Sequence, residues 1–185
     1  MSGRLTVLAG PSGVGKGSVI AAVRRRHPDT WLSVSVTTRS PRDGETDGVE
    51  YHFVDQAEFD RMVEAGELLE HDAHLSASYG TPRSAVQAQL ATGGAALLEI
   101  DIEGARQVRA AMPSAFLVFL APPSFEELAR RLTGRGTESA ERVRERLDRA
   151  RIELAAEEEF DAVIVNDDLE RAADALVALM TDVRP

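Results

Sequence analysis

Short apolar segments alternate with amphipathic segments along most of the chain. Four apolar runs have the length and composition of buried strands, at residues 4–9, 95–100, 115–121 and 162–166. Apolar residues at helical spacing follow three of them, at residues 15–26 and 104–112 and in the segment that Asp168 opens. Strands that alternate with helices predict an α/β fold, in which a parallel sheet is covered on both faces.

The middle of the chain has a different pattern. Residues 31–38 alternate between polar and apolar, which predicts a strand with one exposed face. Asp55 and Glu58 resemble a capping box that opens a helix ending at Gly66. Thr81 and Pro82 fit the cap and first turn of another helix, which ends at Gly93 and Gly94. This region is therefore expected to be an insertion into the core sheet.

The chain of 185 residues is expected to form a single domain with three parts. Its core is assigned to residues 1–32, 95–123 and 152–185. The insertion covers residues 33–94, and an arginine-rich segment covers residues 124–151.

Composition excludes several classes of protein. The chain has no cysteine, which excludes disulfides, thiolate metal sites and cysteine nucleophiles. Its net charge is -10, made up of +6 over residues 1–42, -12 over residues 43–103 and -4 over residues 104–185. This balance argues against nucleic-acid binding, which needs a basic footprint. No apolar run approaches the roughly 18 residues of a membrane span, and no signal segment is recognisable. A cytoplasmic protein without membrane partners is expected.

A glycine-rich loop between the first strand and the first helix predicts a phosphate site. It consists of Gly10, Pro11, Ser12, Gly13, Val14, Gly15 and Lys16. Such a loop turns successive backbone N–H groups inward, and the helix N-terminus adds positive charge. Lys16, the only lysine beside 20 arginines, supplies a compact ammonium for the phosphates. A glycine-rich turn without function is the alternative, which the strand and helix on either side disfavour.

The residue after Lys16 is Gly17, where this motif usually has Ser or Thr as a ligand of Mg²⁺. Ser18 follows one place later and is the candidate hydroxyl ligand, with water and phosphate oxygens supplying the rest.

A second stretch is more specific than the loop. Ser35-Val36-Thr37-Thr38-Arg39-Ser40-Pro41-Arg42-Asp43-Gly44-Glu45 resembles the nucleoside-monophosphate segment of guanylate kinases. Further matches occur in the same order, at Tyr79-Gly80-Thr81-Pro82, Glu99-Ile100-Asp101, Arg131-Leu132, Arg135-Gly136 and Val165-Asn166-Asp167. The resemblance covers about residues 3–182, nearly the whole chain.

The resemblance implies a P-loop NTPase three-layer fold, in which the insertion binds GMP and the arginine-rich segment is a lid. The implied activity is transfer of a phosphoryl group from ATP to GMP, with dGMP as a further acceptor and Mg²⁺ as cofactor. The implied GMP-binding residues are Ser35, Arg39, Arg42, Glu45, Tyr51, Glu70, Tyr79, Thr81, Glu99 and Asp101. Within this set Glu45 is expected to orient the two arginines. The implied ATP-binding residues are those of the loop with Gly17, Ser18 and Asn166. The implied catalytic residues are Lys16, Arg39, Arg131, Arg135 and Arg146.

The chemistry of these residues agrees with the resemblance. Arg39 and Arg42 can both fork onto one phosphate group. A carboxylate at Glu70 can accept hydrogen bonds from N1–H and the amino group of guanine, donors that adenine lacks at these positions. Two alternatives stay open: a non-catalytic guanylate-kinase-like module that binds proteins, and a kinase of another phosphorylated ribose compound.

Overall fold

The core of the protein is a parallel sheet of four strands. The computed structural model describes residues 3–74, 77–133 and 140–181. The core strands are β1 (Leu5–Ala9), β6 (Ala96–Glu99), β7 (Phe116–Ala121) and β8 (Ala162–Val165). They pair in the order β6-β1-β7-β8, and every pairing is parallel. The predicted parallel α/β sheet is confirmed, with strand ends within two residues of those expected from the apolar runs.

Helices cover both faces of this sheet because its strands are apolar on both sides. On one face, Leu8 and Leu120 pack with α1 (Lys16–Arg26) and α7 (Leu169–Thr181). On the other face, Val7 packs with α3 (Arg83–Ala91) and α4 (Ile102–Ala111). Val7 and Leu8 are neighbours in β1, so their side chains point to opposite faces. The result is the expected three-layer fold.

A second sheet lies within the segment predicted to be an insertion. Its strands are β2 (Ser35–Thr37), β3 (Tyr51–Phe53), β4 (Leu68–His74) and β5 (Ala77–Pro82). Their order is β3-β2-β5-β4, with β2 and β3 parallel and β5 antiparallel to both of its neighbours. The helix α2 (Gln56–Glu64) packs on this sheet through Phe59, which contacts Val36 and Leu68.

Local chemistry explains where the elements of this region begin and end. The Asp55 carboxylate accepts a 2.8 Å hydrogen bond from the Glu58 backbone N–H, which confirms that Asp55 caps α2. The expected strand over residues 31–38 is wrong in its length, since β2 has only three residues and Leu32 forms an isolated bridge to Leu97.

The expectation that Thr81 caps the third helix is also wrong. Thr81 lies inside β5, which ends at Pro82, and Pro82 takes the cap position before α3 begins at Arg83. The cap of α3 makes no side-chain hydrogen bond, and the Thr81 hydroxyl donates to the Glu70 carboxylate.

The described part of the arginine-rich segment contains one helix and most of a second. They are α5 (Phe125–Thr133) and α6 (Ala140–Ala155), and a 3₁₀ turn (Ala156–Glu159) follows. Leu128 and Leu132 anchor α5 in the same cluster as Leu8 and Leu120 of the core sheet. Over residues 3–74, 77–133 and 140–181, no helix has both the length and the apolarity that crossing a membrane requires.

Candidate active site

The glycine-rich loop connects β1 to α1 and lies against two other parts of the fold. Gly15 has φ 99° and ψ 27°, a left-handed conformation at the cap of α1 that favours glycine. A Cβ on Gly15 would lie 2.8 Å from Asn166 Nδ2, and a Cβ on Gly10 would lie 2.5 Å from the Leu120 carbonyl oxygen. The loop therefore needs glycine for both its dihedral angles and its close packing.

Two side chains donate hydrogen bonds to one carbonyl oxygen of the loop. Asn166 is buried, and its Nδ2 donates a 2.8 Å hydrogen bond to the Val14 carbonyl oxygen. Arg131 Nη1 donates to the same oxygen at 3.1 Å. Both residues were predicted to belong to the nucleotide site, and the structure places both against the phosphate loop.

The ammonium group of Lys16 lies inside the loop, 2.7 Å from the Gly10 carbonyl oxygen to which it donates. Burial lowers the pKa of Lys16, while the carboxylates of Glu99, Glu153 and Asp101 act in the opposite direction. Lys16 lines a cavity of about 590 Å³ together with residues of α4 and α6. A lysine held this way can donate to an anion that enters the cavity.

Gly17 and Ser18 occupy the first turn of α1 and are both exposed. A Cβ on Gly17 would lie 3.9 Å from Glu99 Oε1, so the Glu99 carboxylate faces the helix at the position without a side chain. Burial raises the pKa of Glu99, and the charges of Lys16 and Arg24 partly offset this effect.

A second cavity of about 360 Å³ lies between the two sheets. Six of the residues predicted to bind GMP line it: Ser35, Tyr51, Glu70, Tyr79, Glu99 and Asp101. Asp101 also lines the cavity beside the loop, so the two cavities adjoin. The Asp101 carboxylate accepts a 2.7 Å hydrogen bond from the Gly104 N–H, which fixes Asp101 as the cap of α4.

Glu70 is the most buried acidic side chain of the second cavity. It is 6% exposed, and the fully buried Thr81 hydroxyl donates to its Oε1 at 2.6 Å. Burial raises the pKa of Glu70 to about 7, although the Thr81 hydrogen bond acts to lower it. Glu70 can therefore accept hydrogen bonds as a carboxylate, and a proton competes with that role near neutral pH.

Arg39 lies beside Tyr51, which lines this cavity, and is held there by Glu45. Arg39 Nη1 and Nη2 donate to the two carboxylate oxygens of Glu45 at 2.7 and 2.9 Å. Its guanidinium carbon lies 5.2 Å from the ring centre of Tyr51. The Arg39 hydrogen bonds, with a further one from the Arg42 backbone N–H, lower the pKa of Glu45 to about 2. The predicted orienting role of Glu45 thus fits Arg39, whereas the Arg42 side chain is exposed.

The predicted lid arginines divide between α5 and α6. Arg131 contacts the loop from α5 and also donates to Glu127 at 3.1 Å. Arg146, from α6, lines the cavity beside the loop and donates to the Leu132 carbonyl oxygen at 3.2 Å. Arg135 lies outside the described residues.

Several residues that line the two cavities were not predicted to belong to the site, among them three charged ones. Asp72 lines the second cavity two positions after Glu70 in β4, on the same face of the strand. Arg149 and Glu153 line the first cavity from α6. The helical spacing of Arg149 and Glu153 from Arg146 was the available signal for those two residues, whereas no sequence signal marked Asp72, because β4 was not predicted.

Comparison with known proteins agrees with this arrangement. The family model described as guanylate kinase matches residues 2–183. A guanylate kinase of Frankia casuarinae is 68% identical over 176 residues, which are 95% of this chain and 96% of the relative. One of Thermobifida fusca is 65% identical over 177 residues, 96% of this chain and 90% of the relative. The crystal structure of guanylate kinase from Anaplasma phagocytophilum superposes with a TM-score of 0.73 at 35% identity, covering 97% of this chain and 85% of that one.

Proposed function

The chain belongs to the guanylate kinase family, and we propose that it transfers the γ-phosphoryl group of ATP to GMP, giving ADP and GDP. The observation that carries the proposal is a pair of adjoining cavities. One contains the phosphate loop with Lys16, and the other contains the buried Glu70, with Asp101 lining both. A phosphoryl donor and a guanine-bearing acceptor can therefore lie next to each other.

We assign the triphosphate of ATP to the loop. The inward N–H groups, the N-terminus of α1 and the Lys16 ammonium are all suited to an anion. Asn166 and Arg131 hold the Val14 carbonyl oxygen and so fix the loop in this shape.

We assign guanine to the cavity of Glu70. An ionised Glu70 accepts from guanine N1–H and the amino group, while the Ser35 hydroxyl can donate to O6. The fully buried Thr81 hydroxyl donates its single proton to Glu70, so we assign Thr81 to positioning Glu70. AMP offers no N1–H and no 2-amino group, so it would leave the buried carboxylate unpaired, which costs a factor on the order of 10⁴ in comparable sites.

The proposed catalysis is positioning and electrostatic stabilisation of an in-line transfer. The phosphate of GMP is mostly dianionic at neutral pH and needs no strong base. ATP and GMP together carry a charge of about -6. Lys16, Arg39, Arg42, Arg131, Arg135 and Arg146 would offset it, with the α5 and α6 arginines closing over the transferred group.

Residues beside the loop fit a magnesium ion, because a hard cation takes oxygen ligands. Ser18 supplies a hydroxyl oxygen, and the Glu99 carboxylate faces Gly17. We propose that Ser18 and Glu99 hold the ion directly or through water. When bound to ATP, Mg²⁺ neutralises charge on the phosphates.

The test is release of ADP from ATP and Mg²⁺ with GMP, dGMP, AMP, CMP or UMP as acceptor, using a Lys16→Ala variant as the background. We expect activity with GMP and dGMP only. Equal rates with all bases, or none with GMP, would contradict the proposal. A different phosphorylated ribose acceptor predicts no activity with any of the five, and a non-catalytic binding module predicts wild type equal to the variant. The cytoplasmic location remains a prediction.

A further inference from the structure

A carboxylate of the protein itself lies at the phosphate loop. Glu153, on α6, accepts a 2.9 Å hydrogen bond from the backbone N–H of Ser12 through Oε2. Its other oxygen, Oε1, accepts from Arg149 Nε at 2.8 Å. Ser12 and Glu153 are 141 residues apart in the chain, so this contact joins the loop directly to α6.

These partners are the donors that a phosphate group uses. Phosphate in a glycine-rich loop accepts from backbone N–H groups, and it pairs well with guanidinium. One carboxylate oxygen of Glu153 accepts from a backbone N–H, and the other accepts from a guanidinium. Lys16, Arg146, Arg149 and Glu153 all line the same cavity, so an entering phosphate meets Glu153 at one of its own binding positions.

Burial and charge indicate what happens when a phosphate group replaces Glu153 at the loop. The Glu153 side chain is 16% exposed, whereas that of Arg149 is 66% exposed. A carboxylate that leaves the loop regains water, and Arg149 is long and exposed enough to turn to a new anion. Two anions cannot share the Ser12 N–H without strong repulsion, so phosphate and Glu153 exclude each other there.

We propose that Glu153 is an internal anion that competes with ATP for the phosphate loop, and that the triphosphate of ATP displaces it and takes over Arg149 as an additional phosphate ligand. The proposal rests on ATP binding at the loop. It makes Glu153 a positioning residue whose removal favours ATP, and Arg149 a binding residue that the predicted lid set does not include. Displacement also frees α6, which carries Arg146, from its contact with Ser12.

The test compares Glu153→Gln with Glu158→Gln, an exposed position that loses the same charge. The affinity of each variant for β,γ-imido-ATP with Mg²⁺ is measured by titration calorimetry without GMP. A neutral amide competes less well for Ser12 and Arg149, because hydrogen bonds to charged groups are about twice as strong as neutral ones. We expect Glu153→Gln to bind the analogue about fivefold more tightly than wild type, and Glu158→Gln to stay within about twofold.

Unchanged or weaker binding by Glu153→Gln would overturn the proposal, as would an equal gain in Glu158→Gln. Arg149→Gln tests the second half: we expect about fivefold weaker binding in the Glu153→Gln background, and no change there would overturn the role of Arg149. Because the titration uses no GMP, it stays informative if the chain fails to phosphorylate GMP. Failure of wild type to bind the analogue at all would instead contradict the ATP assignment on which the proposal rests.

Discussion

Thr81 and Glu70 form a buried hydrogen-bonded pair at the base of the cleft between the two sheets. The Thr81 hydroxyl donates to Glu70 Oε1 at 2.6 Å, with exposed fractions of 0% and 6% for the two residues. Burial is the largest influence on the pKa of Glu70 and raises it, the Thr81 hydroxyl acts to lower it, and the nearby carboxylates of Asp101 and Asp72 raise it further. Three predictions rest on these influences.

The first prediction concerns the affinity for GMP as a function of pH. Since the pKa of Glu70 is raised to about 7 by burial, the carboxylate is mostly protonated at pH 6 and mostly ionised at pH 8. Only the ionised form accepts both guanine donors. We therefore expect Glu70 to strengthen GMP binding about tenfold between pH 6 and pH 8.

A Glu70→Gln variant isolates this effect. The GMP phosphate also ionises near pH 6, but it does so in both proteins, so the ratio of wild-type to variant affinity removes its contribution. The ratio should rise about tenfold from pH 6 to pH 8. A ratio that stays constant would show that Glu70 does not titrate in this range.

The second prediction concerns stability. The pKa of Glu70 in the folded protein, about 7, lies above the ordinary value of 4.5, so the folded state binds this proton more tightly than the unfolded state. The resulting stability is fully present below pH 4.5 and is lost as pH rises through 7. It amounts to about 3 kcal/mol by linkage.

Glu70→Gln should therefore be more stable than wild type at pH 8 and similar to it near pH 4.5. Urea unfolding at the two pH values measures the difference, with the exposed Glu64→Gln as a matched loss of charge. If Glu70→Gln changed stability equally at both pH values, burial of the charge would not be the cause.

The third prediction uses Thr81→Val, which keeps the shape of the side chain and removes its hydroxyl. The hydrogen bond stabilises the ionised form of Glu70, so its loss raises the pKa of Glu70 further. The midpoint of the GMP affinity profile should move about one unit toward higher pH. Thr181→Val, exposed near the end of α7, should leave the midpoint where it is. A midpoint that moves to lower pH would contradict the role given to the hydroxyl.

The core sheet could be predicted from the sequence because its strands are buried on both faces and read as continuous apolar runs. β4 could not, although it contributes Glu70 and Asp72 to the second cavity. Its sequence Leu-Leu-Glu-His-Asp-Ala-His has polar residues where Glu70 and Asp72 face the cleft. The chemistry that makes this strand part of the site also removes the hydrophobic alternation that would have revealed it.

For the site as well, contiguous motifs could be predicted from the sequence, whereas contacts made by tertiary packing could not. The phosphate loop is contiguous in sequence and was predicted residue by residue, and the ordered family motifs gave most of the residues of the second cavity. Glu153 and Ser12 meet only because α6 packs beside the loop, and no local pattern encodes that contact. Thr81 fitted a helix-capping pattern, whereas tertiary packing gave its hydroxyl to Glu70.

The fourth prediction concerns Glu45, whose two carboxylate oxygens accept hydrogen bonds from the Arg39 guanidinium. Glu45→Gln removes the charge that orients the guanidinium, and we expect the KM for GMP to rise about tenfold while kcat changes less. Since the pKa of Glu45 is lowered to about 2, the interaction should persist across the whole pH range of the measurements. Asp43→Asn, exposed on the same loop, is the matched control. An equal rise of the KM for GMP in both variants would mean that the negative charge of the loop affects GMP binding independently of Arg39.

The last prediction concerns Asn166, whose Nδ2 donates to the Val14 carbonyl oxygen from a buried position. Asn166→Ala leaves that oxygen with Arg131 as its remaining side-chain donor, so the protein should lose about 1–2 kcal/mol of stability. Because Val14 belongs to the phosphate loop, the affinity for β,γ-imido-ATP should fall about tenfold, while the affinity for GMP alone stays within about twofold.

Asn166→Asp separates the hydrogen bond from the volume of the side chain, since it keeps the size and loses the amide donor. It should lower the affinity for β,γ-imido-ATP at least as much as Asn166→Ala does, because a carboxylate facing the Val14 carbonyl oxygen adds repulsion. Thermal unfolding and the two titrations measure these effects. If GMP and the analogue lost affinity equally, Asn166 would support the whole fold and would have no specific role in shaping the phosphate loop.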